Sequence, residues 1–339
     1  MQKILVLRGG ALGDFIVTLP VFTALRRRWP AASIEMVGNV TAGRIAEERG
    51  LITKVHSQHE PRWGILYADQ PLSGTFAQWL GSFDLVVSYW PDPERELARR
   101  FPVRDGQRFV SAPPLPRRGP AAAHYCDALR PLGIGADAYF CQINEDDIVP
   151  RADGPAGLIR HSLRAGNRPA IRGPLPGDQV QRPAGAPLNH GCRIALHPGS
   201  GSPRKNWPND RWIELIGQLD SVLLVLGEAE AKNWDRDLIG KMTAQAGADG
   251  RSFCVAINRP LEELMTVLRT CGMFVGHDSG VSHLAAALGI PSVLLFGPTS
   301  PAIWAPPARH VQVLQFSTSL ESIHVNDVIA LLSQVDLRR

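Results

Sequence analysis

The chain has 339 residues, enough for roughly two domains at about 150 residues each. Its 44% hydrophobic and 20% charged residues exclude a disordered polyelectrolyte, a collagen-like chain and a disulfide-stapled miniprotein, while 32 Gly and 28 Pro imply many turns or a loose segment. The net charge of +4 sits in one place: Arg151–Arg193 carries seven Arg, no Lys and two acids, so the remainder is nearly neutral, which disfavours nucleic acid as a partner.

In chain order, the apolar run Ile4–Leu7 reads as a strand, followed by the turn Arg8-Gly9-Gly10-Ala11-Leu12-Gly13-Asp14. Phe15, Ile16, Leu19, Val21, Phe22 and Leu25 then recur at helical spacing up to the basic end Arg26-Arg27-Arg28, whose charge suits the helix dipole. Ser33–Gly38 reads as a second strand, which completes a βαβ unit. Further strands are expected at Lys54–His56, Asp84–Tyr89 and Arg108–Val110, and helices near Ala42–Arg49, Pro93–Arg100 and Ala122–Leu132. Residues 151–192 form a connector rich in Pro, Gly and Arg. It reads first as a solvated hinge and second as a contact for anionic lipid or an acidic acceptor.

The second half repeats the logic. Strand Arg193–His197 leads through PGSGSPRKNWP into a helix at Asp210–Leu219, and strand Val222–Leu226 leads into GEAE and another helix. Strand Met273–Val275 leads through GHDSG into helix Val281–Leu288, strand Ser292–Phe296 ends in GPTSP, and an amphipathic helix covers about Asn326–Val335. Repeated βα units on both sides of the connector predict two α/β domains facing each other across a cleft.

Cys126, Cys141, Cys192, Cys254 and Cys271 form no CxxC pair and no Cys/His metal spacing, as expected of reduced thiols in a cytoplasmic protein. The segment MQKILVLR has no signal-peptide core, and no apolar run reaches the 18 or so residues of a membrane span.

In an open parallel sheet, ligands bind where strand ends meet helix N-termini. The first such junction is neither a dinucleotide fingerprint, because Arg8 stands where the first glycine would be needed, nor a P-loop. Its Asp14 is either a first-turn capping acid or a general base projecting into the cleft. At the second junction, Ser200, Gly201 and Ser202 with Arg204 and Lys205 offer N–H groups, hydroxyls and cations suited to a diphosphate, against the plain alternative of a solvated loop. At the third, Ser279–Gly280 opens a helix whose free N–H groups suit phosphate. His283, one turn in, is a packed residue or a ligand contact, and Asp278 either caps the helix or binds ligand hydroxyls. The fourth, Gly297-Pro298-Thr299-Ser300-Pro301, reads as a rigid turn at the cleft rim. Asp235-Arg236-Asp237 has the form of a metal-binding DxD but reads as a solvated helix face, and Glu145-Asp146-Asp147 reads as a loop. The aromatic stretch His56–Trp79 is the expected place of acceptor contacts.

Together, "ILVLRGGALGDFIVTLPVFTALRRRWP", "IALHPGSGSPRKNWP" and "GHDSGVSHLAAALGIPSVLLFGPTSP", in this order, resemble glycosyltransferase family 9, the ADP-heptose:lipopolysaccharide heptosyltransferases. The resemblance implies a GT-B architecture, two Rossmann-like domains: an acceptor domain over 1–150, a nucleotide-sugar domain over 193–320, and a C-terminal helix over 321–339 that crosses back to the first. It implies an inverting transfer without metal, with no cofactor beyond the nucleotide-sugar donor, ADP-heptose. The implied acceptor is a lipopolysaccharide inner core or related glycan or glycolipid at the cytoplasmic face of the inner membrane. Carried onto this chain, Asp14 matches the general base, Lys205 the phosphate-contacting lysine, and Ser200 and Ser202 the phosphate-loop hydroxyls. Gly13, Gly201 and Arg204 flank them. Asp278, Ser279, Gly280 and His283 match the D-[ST]-G-x-x-H turn. Glu230 is the expected ribose-holding acid, with Glu228 as its competitor. His277 departs from the family's usual Asn, and the connector is longer than the pattern. Two other readings remain: a nucleotide-sugar 2-epimerase on the same fold, and a non-catalytic sugar-nucleotide-binding protein.

Overall fold

The computed structural model describes residues 1–135 and 193–336; the connector, with Glu145-Asp146-Asp147, Cys141 and Cys192, lies outside the described residues. The first lobe runs β1 (Lys3–Arg8), α1 (Leu12–Ile16), α2 (Leu19–Arg28), β2 (Ser33–Gly38), α3 (Val40–Glu48), β3 (Lys54–Ser57), α4 (Gly74–Gly81), β4 (Leu85–Ser88), α5 (Glu96–Arg99), β5 (Arg108–Ser111) and α6 (Ala121–Asp127). The second runs β6 (Ile194–His197), α7 (Asn209–Gly217), β7 (Ser221–Leu226), α8 (Glu228–Ala231), α9 (Arg236–Ala248), β8 (Ser252–Ile257), α10 (Leu261–Arg269) and β9 (Met273–His277). It continues through α11 (Gly280–Ala287), β10 (Ser292–Leu295), α12 (Pro301–Trp304), β11 (Val311–Leu314) and α13 (Val325–Asp336).

The strands pair in parallel into two sheets, ordered β3-β2-β1-β4-β5 and β11-β10-β9-β6-β7-β8. Helices cover both faces, which is why the central strands are continuous apolar runs. On β1, Ile4 and Val6 join one apolar cluster while Leu5 and Leu7 join another on the opposite face. The first of these clusters also holds Ala195, Phe274, Leu284 and Phe296 of the second lobe, so the lobes share buried surface. The buried side chains of α13, Val325, Val328 and Leu332, pack with Trp207 and Trp212 of the second lobe.

Several elements differ from the sequence expectation. The single helix after β1 is broken into α1 and α2, because Pro20 has no N–H to continue the ladder. Strands β8 and β11 are additions to the expected set; both are sheet edges, with the mixed burial that blurs a strand's signal. The helix expected at Pro93–Arg100 shrinks to α5, and the one at Ala122–Leu132 resolves into α6 and a 3₁₀ turn at Arg130–Leu132. Among the described residues no helix is long and apolar enough to cross a membrane.

Candidate functional site

Each sheet reverses its winding once, between β1 and β4 in the first and between β6 and β9 in the second. Crevices open at such points beyond the strands' C-terminal ends. The GGALGD turn follows β1, the PGSGSPRK loop follows β6 and the HDSG turn follows β9, so the three motifs converge on these two crevices. Residues His197 and Gly276 pair across β6 and β9, which starts the last two loops side by side.

In the first turn Gly10 has φ +115, a conformation that favours glycine, and a Cβ there would fall 2.5 Å from Asp14 Oδ2. Asp14 Oδ2 accepts the Ala11 N–H (3.0 Å), and Oδ1 accepts from Arg8 Nη2 (3.1 Å). The capping role open from sequence is therefore present. The carboxylate is still 32% exposed, with lone pairs to spare for a ligand. From the end of β3, Gln58 Oε1 accepts the Gly10 N–H at 3.0 Å.

In the second loop the Ser200 hydroxyl lies 2.6 Å from Asn206 Oδ1 and 2.7 Å from the Ser202 carbonyl. The Ser202 N–H donates back to Ser200 Oγ at 3.3 Å. Lys205 Nζ donates to the Asp278 carbonyl (3.0 Å) and to Asp278 Oδ2 (3.1 Å), across to the third turn. Gly201 and Arg204 are exposed. The Glu230 carboxylate lies over Gly199, where a Cβ would be 2.1 Å from its Cδ, and Oε2 accepts the Gly227 N–H (2.9 Å). Glu228 is exposed and Glu230 half-buried against the loop.

In the third turn Ser279 caps α11, its Oγ accepting the Ser282 N–H at 3.2 Å. The first-turn N–H groups of α11 have no intrahelical acceptor and point to the crevice. Asp278 is buried, with Oδ1 3.9 Å from His283 Nε2. Burial holds the His283 imidazole below its ordinary pKa although the Asp278 and Asp14 carboxylates pull the other way.

Two further imidazoles lie beneath the loops. His197 Nδ1 faces the Val225 carbonyl at 3.0 Å, and burial lowers its pKa. His277 Nε2 accepts the Trp207 N–H at 2.8 Å, so its proton sits on Nδ1, which faces the Gly199 carbonyl at 3.4 Å. His277 thus ties both ends of the loop after β6, while His197 ties the end of β6 to β7.

The lobes touch at the site itself. A Cβ on Gly13 would lie 3.3 Å from Gly280 Cα and 3.4 Å from His283 Cδ2, and one on Gly280 would lie 3.0 Å from Gly13 N. Asp14 is thereby placed beside Gly280 and His283, and His283 leads on to Asp278 and its partner Lys205. Ser200, Ser202 and Glu230 adjoin Gly199 of the same loop. A second touch lies at the rim, where Gly119 abuts the Ala302 carbonyl of α12, just after the fourth junction.

Within the stretch His56–Trp79, Gln58 reaches the Gly10 turn, whereas the large aromatic side chains pack together. Trp63 and Phe76 are buried, Trp79 stacks on Phe76, and His56 Nε2 is tied to Glu35 Oε2 at 2.6 Å. These aromatics form a core beneath the sheet because aromatics at helical spacing have apolar strands Leu5, Leu7 and Val37 to cover. Asp235-Arg236-Asp237 is exposed, and Asp235 caps α9. A cavity of about 300 Å³ between α7 and α9 lies at the N-terminal ends of β7 and β8, away from the crevices. Among the described residues no group of three or more His, Cys, Asp or Glu could hold a metal ion. Sequence reasoning missed Arg8, Gln58 and Tyr125. The only available signal was the charge of Arg8 at the end of an apolar strand.

The description of the family model that matches residues 179–327 is glycosyltransferase family 9 (heptosyltransferase). Over 321 residues the chain is 26% identical to lipopolysaccharide heptosyltransferase 1 of Pseudomonas aeruginosa, covering 88% of this chain and 80% of that protein. It is 30% identical to lipopolysaccharide heptosyltransferase 2 of Escherichia coli over 138 residues, 40% of this chain and 39% of that protein. The match to that relative thus spans about two fifths of its length. The glycosyltransferase family 9 structure from Veillonella parvula superposes with a TM-score of 0.67 at 18% identity, covering 100% of this chain and 98% of that one. An E. coli heptosyltransferase with ADP superposes with a TM-score of 0.63 at 17% identity, covering 98% of this chain and all of that one. These likenesses identify the two-sheet arrangement as the GT-B fold.

Proposed function

We propose that the chain transfers a heptose from ADP-heptose to a lipopolysaccharide inner-core or related glycan acceptor, with inversion at the anomeric carbon. The observation that carries this is the Gly13–Gly280 contact, which sets a partly exposed carboxylate, Asp14, against the cationic loop and helix end of the other lobe. The donor is named in the relatives' own descriptions: an E. coli heptosyltransferase solved with ADP-2-deoxy-2-fluoro heptose and an E. coli ADP-heptose lipopolysaccharide heptosyltransferase II.

In this reading the diphosphate lies between Ser200–Lys205 and the N-terminus of α11, and Glu230 holds the ribose. As the anomeric carbon–oxygen bond breaks, negative charge grows on the leaving diphosphate. Lys205 and the α11 N–H groups meet that charge without a metal. Asp14, on the opposite side, takes the proton of the acceptor hydroxyl attacking the other face of the sugar. His283, kept neutral by burial, adds no competing charge and can donate or accept a hydrogen bond to the donor. The enzyme works in the cytoplasm, and its acceptor brings it to the inner face of the membrane.

The test is a binding screen of ADP-, UDP-, GDP- and dTDP-sugars, then transfer assays with the winner. ADP-heptose should bind and be transferred, and Asp14→Asn should bind it equally while turnover falls by roughly 10²–10⁴-fold. Full turnover by that variant, or conversion of the donor without any acceptor, would overturn the proposal.

A further inference from the structure

We propose that Arg8 is the positioning residue of the site, the group that fixes the Asp14 carboxylate in its reactive orientation. The inference rests on Asp14 being the base.

Arg8 closes β1 as the only charged side chain of that strand's last five residues, and it is 5% exposed. A buried guanidinium is costly unless its donors are satisfied. Here they are spent in one small space. Nε donates to Thr18 Oγ1 (2.9 Å), Nη1 to the Gly9 carbonyl (3.2 Å), and Nη2 to Asp14 Oδ1 (3.1 Å) and the Tyr125 hydroxyl (3.2 Å). The guanidinium also lies 4.6 Å from the Tyr125 ring centroid.

Proton directions make the arrangement unambiguous. Thr18 gives its only hydroxyl proton to the Asp14 carbonyl at 2.7 Å, so it can only accept from Arg8. Tyr125 gives its proton to the Pro114 carbonyl at 3.1 Å, so it too accepts from Arg8. Burial holds that phenol above its ordinary pKa and keeps it protonated. Tyr125 is anchored in turn by the Tyr89 hydroxyl, which donates to its carbonyl at 2.8 Å. The guanidinium is thus held by two acceptors from α1–α2 and α6 and has one carboxylate to hold. Asp14 receives Arg8 on one oxygen and the Ala11 N–H on the other, which fixes the carboxylate plane. Lysine, a point donor, could not span Thr18, Gly9, Asp14 and Tyr125 at once.

Misplacing a reacting group by about 1 Å can cost 10²-fold in rate. Arg8→Gln should therefore lower kcat by ~10- to 100-fold while leaving ADP affinity and the donor KM within about twofold, because no donor group is touched. Arg8→Lys should recover part of the loss. A merely structural role would slow every variant alike, so the deciding measurement is a double-mutant comparison by single-turnover kinetics. In an Asp14→Asn background, where there is no carboxylate to orient, Arg8→Gln should cost less than about threefold. Tyr125→Phe, which keeps the ring and removes one acceptor, gives the same comparison should Arg8→Gln fail to fold; it should lower kcat about threefold in the wild type and not at all in the Asp14→Asn background. An unchanged kcat in Arg8→Gln, or an equal loss in both backgrounds, overturns the role of Arg8 and leaves the base assignment standing. Full turnover by Asp14→Asn alone overturns the base assignment itself.

Discussion

His277 offers a sharp test of how the loop after β6 is held. It is wholly buried at the end of β9, its ring edge-on to Trp212 at 5.3 Å, with the Trp207 N–H on Nε2. Burial first, then the neighbouring His197 and Lys205, press its pKa from 6.5 to about 3, against the Gly199 carbonyl, which favours the protonated ring. Between those values the unfolded chain binds a proton that the folded chain refuses. Stability is therefore complete above pH 6.5 and falls by about 1.4 kcal/mol per pH unit as the pH drops towards the folded value. At pH 5 the cost from this imidazole alone is about 2 kcal/mol. Asparagine can accept the Trp207 N–H and donate to Gly199 without titrating. Urea unfolding of wild type and His277→Asn at about pH 7.5, 6 and 5 should show the variant losing about 2 kcal/mol less over that range, whatever its stability at the highest pH. The buried imidazoles His197 and His283 are present in both proteins and cancel. Parallel pH dependences would refute a buried, neutral His277.

Other substitutions address the rest of the site. Lys205→Met should weaken ADP binding by roughly 10- to 100-fold, the worth of a charged hydrogen bond, in a calorimetric titration; unchanged affinity would remove Lys205 from the phosphate site. Gly199→Ala places a Cβ on the Glu230 carboxylate, so ADP affinity should fall with little change in melting temperature, and an unaltered affinity would detach Glu230 from the donor. Gly280→Ala must push Gly13 and Leu12 away by a few tenths of an ångström. Its helix should be no less stable, since alanine is the better helix former, but turnover should fall about tenfold, and wild-type turnover would show that the contact does not set the geometry.

Much of the architecture was legible because central parallel strands are apolar on both faces and each ends in a glycine turn. Ile4–Leu7, Ser33–Gly38 and Ser292–Leu295 need no more than that. The edge strands β8 and β11 were not, because they lose one neighbour and with it half their apolar signature. Within the site, Asp14, Lys205 and Asp278 are legible because they lie in the turns. The Lys205–Asp278 pairing is not, since it joins loops 73 residues apart. Tyr125 is a harder case still: it reads as one more apolar residue of a short helix, and only its 117-residue reach to Arg8 gives it meaning. The aromatics Trp63 and Phe76 are ambiguous in sequence for the opposite reason, since aromatic side chains serve a core and a sugar surface equally well, and only the packing of Trp63 on Phe76 and Trp90 shows that these two belong to a core.

The glycine-on-glycine meeting of the lobes also has the geometry of a fulcrum. No side chain stands between Gly13 and Gly280, so the backbones are already at contact distance and the lobes cannot approach further there. Displacement under a rotation grows with distance from the pivot. Asp14 and Asp278, each within two residues of it, would travel least, and the far walls of the crevice most. A rotation about that point would widen the mouth of the crevice while Asp14 and Asp278 keep nearly the same separation.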